Sequence, residues 1–207
     1  MQFLILFYFL GILFFALPAS AKIMPVPFTS QAPFGSWASP YQDFCEEASI
    51  TMAVHFVWGI PLTAKVADLH MKIIKQYEEV VFGRWKDTSA KETAQILTNL
   101  YGFKDISVKE AVSLQDLKRE INSGKILLVP VAGRMLKNPY FTPPGPLYHM
   151  LVIHGYDDAK NIFITNDPGT RRGNGFEYNQ QTLWLAIHDW NGGDVLMGKK
   201  TVIAVDK

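Results

Sequence analysis

The chain has 207 residues, 20 basic against 19 acidic side chains and a formal net charge of +1 at pH 7, with 48% of its residues hydrophobic. That balance, without a long block of like charge, excludes the electrostatic footprint of a nucleic-acid binder. The single cysteine, Cys45, excludes an internal disulfide, so the fold must be stable through burial alone.

Phe3 to Leu17 carries no charge and is almost wholly apolar, and Ala19-Ser20-Ala21 offers the small-x-small pattern of a cleavage site. Residues 1–21 therefore read as an export signal, which places the product outside the cytoplasm. No Lys or Arg precedes the apolar run, so an uncleaved anchor is the alternative, although the run is shorter than the roughly 20 residues of a spanning helix. Any membrane contact would come through this segment only. Residues 22–207 have the length of one domain with a substantial core.

Ile23 to Phe28, with prolines at 25 and 27, suits an edge strand or an irregular lead-in. After a loop from Gln31 to Tyr41, Asp43 is expected to cap a helix from Phe44 to Trp58 that ends at Gly59, with Ile50, Ala53, Val54 and Val57 at helical spacing. A second helix is expected from Thr63 to about Tyr77, burying Val66, Leu69, Ile73 and Ile74. Ser89-Ala90-Lys91-Glu92 has the form of a capping box for a third helix, stopped near Gly102, and a fourth runs from Leu114 to Ile121 behind Ser113. From Ile126 to Val131 a compact apolar run marks the first central strand.

The loop from Gly133 to Leu147 holds four prolines and leads into the strand headed by His149, so it reads as a rigid rim of a cleft. A hairpin follows, then a strand at Phe176–Tyr178, a helix from Gln180 to His188 with Trp184 and Leu185 buried, and a closing strand at Thr201–Val205. The fold class is α+β, with N-terminal helices packed against a C-terminal antiparallel sheet.

Three residues stand out chemically. Cys45 sits at a helix start, where unpaired N–H groups and the helix dipole favour a thiolate. His149 heads one strand, and Asp167, in Asn166-Asp167-Pro168, closes the next. A turn centred on Asp158 would set His149 directly across from Asp167, within reach of a carboxylate–imidazole bond. His154 then falls on the opposite face, which argues against a two-histidine metal site in this strand. Each residue alone has an ordinary reading: a buried small hydrophobe, a strand histidine, a turn-forming aspartate. Their combination in this order points to nucleophilic catalysis.

Val26-Pro27-Phe28-Thr29-Ser30-Gln31, Cys45-Glu46-Glu47-Ala48-Ser49, His149 to Asp157 and Asn166-Asp167-Pro168-Gly169-Thr170 together resemble the bacteriocin-processing (double-glycine) peptidase-like family of papain-fold cysteine peptidases. The resemblance spans nearly all of the chain beyond the export signal. It implies a papain-like fold, with Cys45 as nucleophile, His149 as general base and acid, Asp167 as the orienting residue and Gln31 as side-chain donor of an oxyanion hole. The Cys45 backbone N–H would be the second donor, and Gln42 is the rival to Gln31. The implied substrate is a peptide or protein, with no cofactor, no metal and no nucleic-acid partner.

Two features depart from the pattern. Glu46 and Glu47 stand where similar members carry a Gly-Pro or Gly-Ala step, and their carboxylates oppose a nearby thiolate unless they face away from the cleft. The chain has no ATP-binding P-loop, so leader-peptide processing does not carry over. A papain-shaped binding module without turnover and a transglutaminase-like acyl transferase are the competing readings. Arg171 and Arg172 can hold a substrate carboxylate or simply be solvated, and Trp37, Trp85 and Tyr140 can line a groove or pack in the core.

Overall fold

The computed structural model describes residues 20–207. The expected export signal lies outside the described residues, apart from Ser20 and Ala21. Its helices are α1 (Cys45–Trp58), α2 (Ala64–Val81), α3 (Ala90–Asn99), α4 (Leu114–Asn122) and α5 (Gln180–Ala186). Its strands are β1 (Ala21–Ile23), β2 (Ile106–Glu110), β3 (Ile126–Ala132), β4 (Tyr148–Asp157), β5 (Ile162–Asn166), β6 (Phe176–Asn179) and β7 (Thr201–Val205).

The strands form one antiparallel sheet in the order β2-β7-β3-β4-β5-β6, and β1 pairs with the far end of β4 at Gly155–Asp157. β3 and β7 are buried at every residue, which requires cover on both faces of the sheet. That cover comes from two groups of helices. α1 packs on β3 and β4 with α2 and α3 against it, while α4 and α5 touch one another and pack on β3, β4 and β5.

α1 has no solvent face over most of its length, since every residue from Cys45 to Phe56 is buried. This central helix carries the cysteine, and β4, buried at every residue but its last, carries the histidine. A substitution such as Ile50→Ala in this layer would cost about 2–5 kcal/mol.

Local chemistry accounts for most boundaries. Gly59 closes α1 in the left-handed conformation, with φ 67°. Ser89 and Glu92 form the expected capping box, and Ser113 forms a second with Asp116.

Several expectations need correction. Asp43 does not cap α1: it ends a short 3-10 turn, Tyr41–Asp43, and pairs with Lys86 at 2.6 Å. The α1 start has no side-chain cap at all. α2 runs on to Val81 and buries Ala67, Met71, Ile74 and Glu78, while Leu69 and Ile73 are exposed. Its buried face is set by Phe44 and Ala48 of the neighbouring segment, against which the small Ala67 and the pliable Met71 fit. On α5 the residues that turn inward are Leu183 and Ala186, and Leu185 is exposed.

Helices do not simply precede the sheet, because β2 lies between α3 and α4 and pairs with β7 near the C-terminus. Its sequence, Ile-Ser-Val-Lys-Glu, is too short and too polar to announce a strand, and only the remote partner makes it one.

Candidate active site

The start of α1, the start of β4 and the chain just after β5 converge on a cavity of about 530 Å³. Cys45 and His149 both line it, with Gln31, Trp37, Gln42, Phe141, Leu147 and Gly169 among the other walls.

His149 is fixed by Asp167. The ring Nε2 lies 2.8 Å from Asp167 Oδ1, and both side chains are buried. Nδ1 is thereby left as the ring nitrogen that does not serve the carboxylate. Asp167 also accepts from the Gly169 N–H at 2.9 Å, the Asn138 amide at 3.1 Å and the Tyr178 hydroxyl at 2.5 Å. Burial alone would raise its pKa, but the His149 ring, the Tyr178 hydroxyl and the Gly169 N–H hold the carboxyl below its ordinary range. Two glycines shape the surroundings. A Cβ at Gly169 would stand 2.9 Å from His149 Cε1, and one at Gly173 would fall 1.7 Å from the Asp167 carbonyl oxygen.

The route by which His149 meets Asp167 differs from the expected one. β4 and β5 pair as Val152↔Asn166 and Ile153↔Thr165, then shift at a bulge before Gly155↔Ile164. Asp167 is therefore not the cross-strand partner of His149, and it lies one residue past the end of β5. Extending the Val152↔Asn166 register puts Asp167 opposite Leu151, two residues from His149 and on the same face. A register error of two preserves the face, and for that reason the carboxylate still reaches the ring.

Cys45 is only 7% exposed, and its Sγ donates to Glu46 Oε2 at 2.9 Å. Burial, then the Glu46 charge and hydrogen bond, then Glu47 raise the thiol pKa well above its ordinary value, while the Met150 backbone N–H opposes them. The helix-start effect expected from the sequence is overridden, because dry surroundings and a carboxylate outweigh a partial charge at one helix turn. Glu46 does not face away from the cysteine. Its other oxygen accepts the Thr88 N–H at 3.0 Å, and burial together with Asp87 pushes its pKa up to about 7. Glu47 turns instead toward Glu78 of α2: burial, then the Glu78 charge, raise the Glu47 carboxyl, while burial and the Glu46 charge raise that of Glu78.

Gln31 lines the cavity, but its Nε2 donates to the carbonyls of Tyr41 at 3.0 Å and Gln42 at 2.7 Å. Its Oε1 is buried without a partner among the described residues. The rival Gln42 is bonded through Nε2 to Asp43 at 3.3 Å. A second cavity of about 300 Å³ adjoins through Trp37, Thr142 and Gly169, and Tyr140, Arg171 and Arg172 close it. There Arg172 lies over the Tyr140 ring at 4.7 Å, and Arg171 donates to the Gly35 carbonyl at 2.8 Å. Trp85 packs on Phe44 instead of lining the cavity.

Asn138 and Tyr178, which complete the Asp167 cradle, were not singled out in the sequence. Asn138 sits at the start of the proline-rich rim and Tyr178 on a short edge strand, and neither position carries a signal beyond its residue type. Among the described residues no group of His, Cys, Asp and Glu is arranged to hold a metal ion. His154 is occupied by the Met24 carbonyl at 2.8 Å.

The family model described as "Peptidase_C39 like family" matches residues 23–191, a span that includes Gln31, Cys45, His149 and Asp167. The chain belongs to the Peptidase_C39-like family. Among solved structures, this C39-like chain is similar to one from Bacillus anthracis described as a C39-like peptidase, with a TM-score of 0.60 and 15% identity. The match covers 91% of this chain and 98% of that one. At that identity the likeness speaks for the fold, which is the α+β arrangement expected of a papain-like peptidase. The comparison with curated proteins returned no match. Among the described residues no helix is long and apolar enough to cross a membrane.

Proposed function

We propose that this C39-like protein is an exported cysteine peptidase-type hydrolase that opens peptide or amide bonds with Cys45 as nucleophile, His149 as base and acid, and Asp167 as the residue that orients His149. The observation that carries this reading is the shared cavity. His149, with ring Nε2 committed to the buried Asp167 carboxylate behind it, lines one cleft with the chain's single thiol at a helix start.

In the reaction, Nδ1 of His149 takes the Sγ proton, and the sulfur attacks the substrate carbonyl. The imidazolium then protonates the departing amine, and water, activated by the same ring, releases the acyl group. Asp167 fixes the ring orientation and stabilises its charged form. The oxyanion is assigned to the Cys45 backbone N–H, which has no backbone partner among the described residues, and to the Gln31 amide at the cavity wall. Export is proposed from the uncharged run at Phe3–Leu17 and the small residues at Ala19 and Ala21.

A peptide-library cleavage assay on residues 22–207 tests the hydrolase reading, with Cys45→Ala as control. Cleavage by the parent and none by the variant is expected. Equal cleavage by both would remove Cys45 from the reaction. N-terminal sequencing of the natural product tests export, with a new terminus near Lys22 as the expected result.

A further inference from the structure

The sulfur of Cys45 is hydrogen-bonded to Glu46, the next residue in the same helix turn, and the peptidase chemistry above gives that carboxyl nothing to do. Glu46 is 2% exposed and has a fixed geometry: Oε2 receives the thiol at 2.9 Å and Oε1 receives the Thr88 N–H at 3.0 Å. Thr88 is itself held, with its carbonyl accepting the Tyr148 hydroxyl at 2.7 Å and its hydroxyl 3.1 Å from that of Thr93. The carboxyl is thus built into the wall behind the nucleophile, where it can either accept from sulfur or donate to it.

We propose that Glu46 is a positioning residue that gates the Cys45 nucleophile: as a carboxylate it holds the sulfur as a thiol, and as a neutral acid it donates to the thiolate formed when His149 takes the Sγ proton. The inference rests on the Cys45–His149 reading above and adds to it a preference for mildly acidic surroundings.

Proton bookkeeping fixes the sign. Above the titration of Glu46 the group of three holds one mobile proton, on sulfur, and moving it to His149 sets a thiolate against a carboxylate. When one proton is added on Glu46, the same transfer leaves a neutral acid that donates to the thiolate. In that step the S–H bond breaks, an N–H bond forms on the ring, and the Glu46 proton stays where it is. Nothing facing Glu46 from the surrounding elements reverses this. Glu47 on its own helix, Glu78 on α2 and Asp87 in the loop before α3 are all acidic, and Tyr148 on β4 is a buried phenol held neutral. The cations closest in sequence to this loop are committed elsewhere, Lys86 to Asp43 and Arg84 to Glu92. The raised pKa of Glu46, about 7, puts the switch between neutral and mildly acidic pH.

The test is the rate of alkylation by iodoacetamide between pH 5 and 8.5, measured on the full chain, on Glu46→Gln and on His149→Ala. Glutamine keeps the acceptor for Thr88 and always offers an N–H to sulfur. The parent should react at least threefold faster near pH 6 than at pH 8, the reverse of an ordinary thiol. E46Q should lose that inversion and react at least tenfold faster than the parent at pH 8. H149A should be slow throughout. A parent rate that simply climbs with pH, or an E46Q profile that overlays the parent, overturns the role of Glu46 while a slow H149A keeps the Cys45–His149 pair. An H149A profile equal to the parent would overturn both. If E46Q does not fold, the parent profile alone decides, because a merely structural Glu46 gives no inversion.

Discussion

Replacing Asp167 by asparagine keeps the shape of the side chain and removes the charge on which four donors converge. Oδ1 receives the His149 ring and the Gly169 N–H, and Oδ2 receives Asn138 and Tyr178. An amide can offer its one oxygen to one of these pairs only, so its NH2 group must face two donors. Hydrogen bonds to a charged group are worth about 1.5–3 kcal/mol each, so losing two gives a penalty of about 3–6 kcal/mol. For a domain of this size each kcal/mol moves the melting temperature by roughly 2–4 °C. D167N should therefore melt at least about 6 °C below the parent at pH 7. Tyr178→Phe removes one donor and leaves the charge, so its loss should be about half as large. The sign with pH follows from the lowered pKa of Asp167 in the folded state: its contribution is fully present above about pH 4 and is lost as pH falls through the folded value. The gap between D167N and the parent should accordingly narrow in acid. Differential scanning calorimetry reads all three. A D167N melting point within about 2 °C of the parent, or equal losses in D167N and Y178F, would refute the four-donor cradle.

Buried carboxyls elsewhere give the opposite pH dependence. Glu46, Glu47 and Glu78 have raised folded pKa values, so the stability they contribute is greatest below about pH 4.5 and is lost as pH rises toward the folded values. The chain should melt higher at pH 5.5 than at pH 8, and Glu78→Gln should flatten that slope; an unchanged slope in E78Q would count against a raised, buried Glu78 carboxyl. Gly169→Ala places a Cβ against Phe141 at 2.8 Å and the His149 ring at 2.9 Å, so His149-dependent alkylation should fall at least tenfold, and an unaffected rate would show that the ring yields freely. Gly173→Ala drives a Cβ into the Asp167 carbonyl at 1.7 Å, and thermal melts should show a loss of more than about 2 kcal/mol, the scale of overpacking in a tight core.

The parts of this molecule that were legible in the sequence are those governed by near neighbours. The capping box at Ser89, the helix start behind Ser113, the glycine stop at Gly59 and the uninterrupted apolar run of β3 each act through residues a few positions apart. The features that near neighbours do not mark were decided by remote contacts. Phe44 and Ala48 choose which face of α2 is buried, and β7 recruits β2 from almost one hundred residues away. The site shows the same division. Cys45, His149 and Asp167 could be picked out because each sits near the end of an element, but the displaced turn and the one-residue bulge in β4 that together set the His149–Asp167 register were marked only by Gly155 within the strand. The Glu46 contact lay one residue from Cys45 in plain view. Whether that carboxyl faced the sulfur or the solvent depended on Thr88, forty-two positions away.

Gln31 shows how such enclosure bears on the proposed catalysis. Both hydrogens of its amide are spent on the carbonyls of Tyr41 and Gln42, and these carbonyls belong to the 3-10 turn that delivers Cys45 to the start of α1. Flipping the amide would set its oxygen against two carbonyl oxygens, so the orientation is forced. An oxyanion at the Cys45 N–H can recruit Gln31 only by exchanging one of these bonds for one to an anion. A neutral hydrogen bond is worth about 0.5–1.5 kcal/mol net and one to a charged group about 1.5–3, so the exchange contributes on the order of 1 kcal/mol. That is well short of the roughly 3 kcal/mol lost when a free, preorganised oxyanion donor is removed. In the proposed reaction the Cys45 N–H, unpaired at the helix start, would therefore carry the larger share of oxyanion stabilisation, and Gln31 would serve chiefly by holding the turn that precedes Cys45.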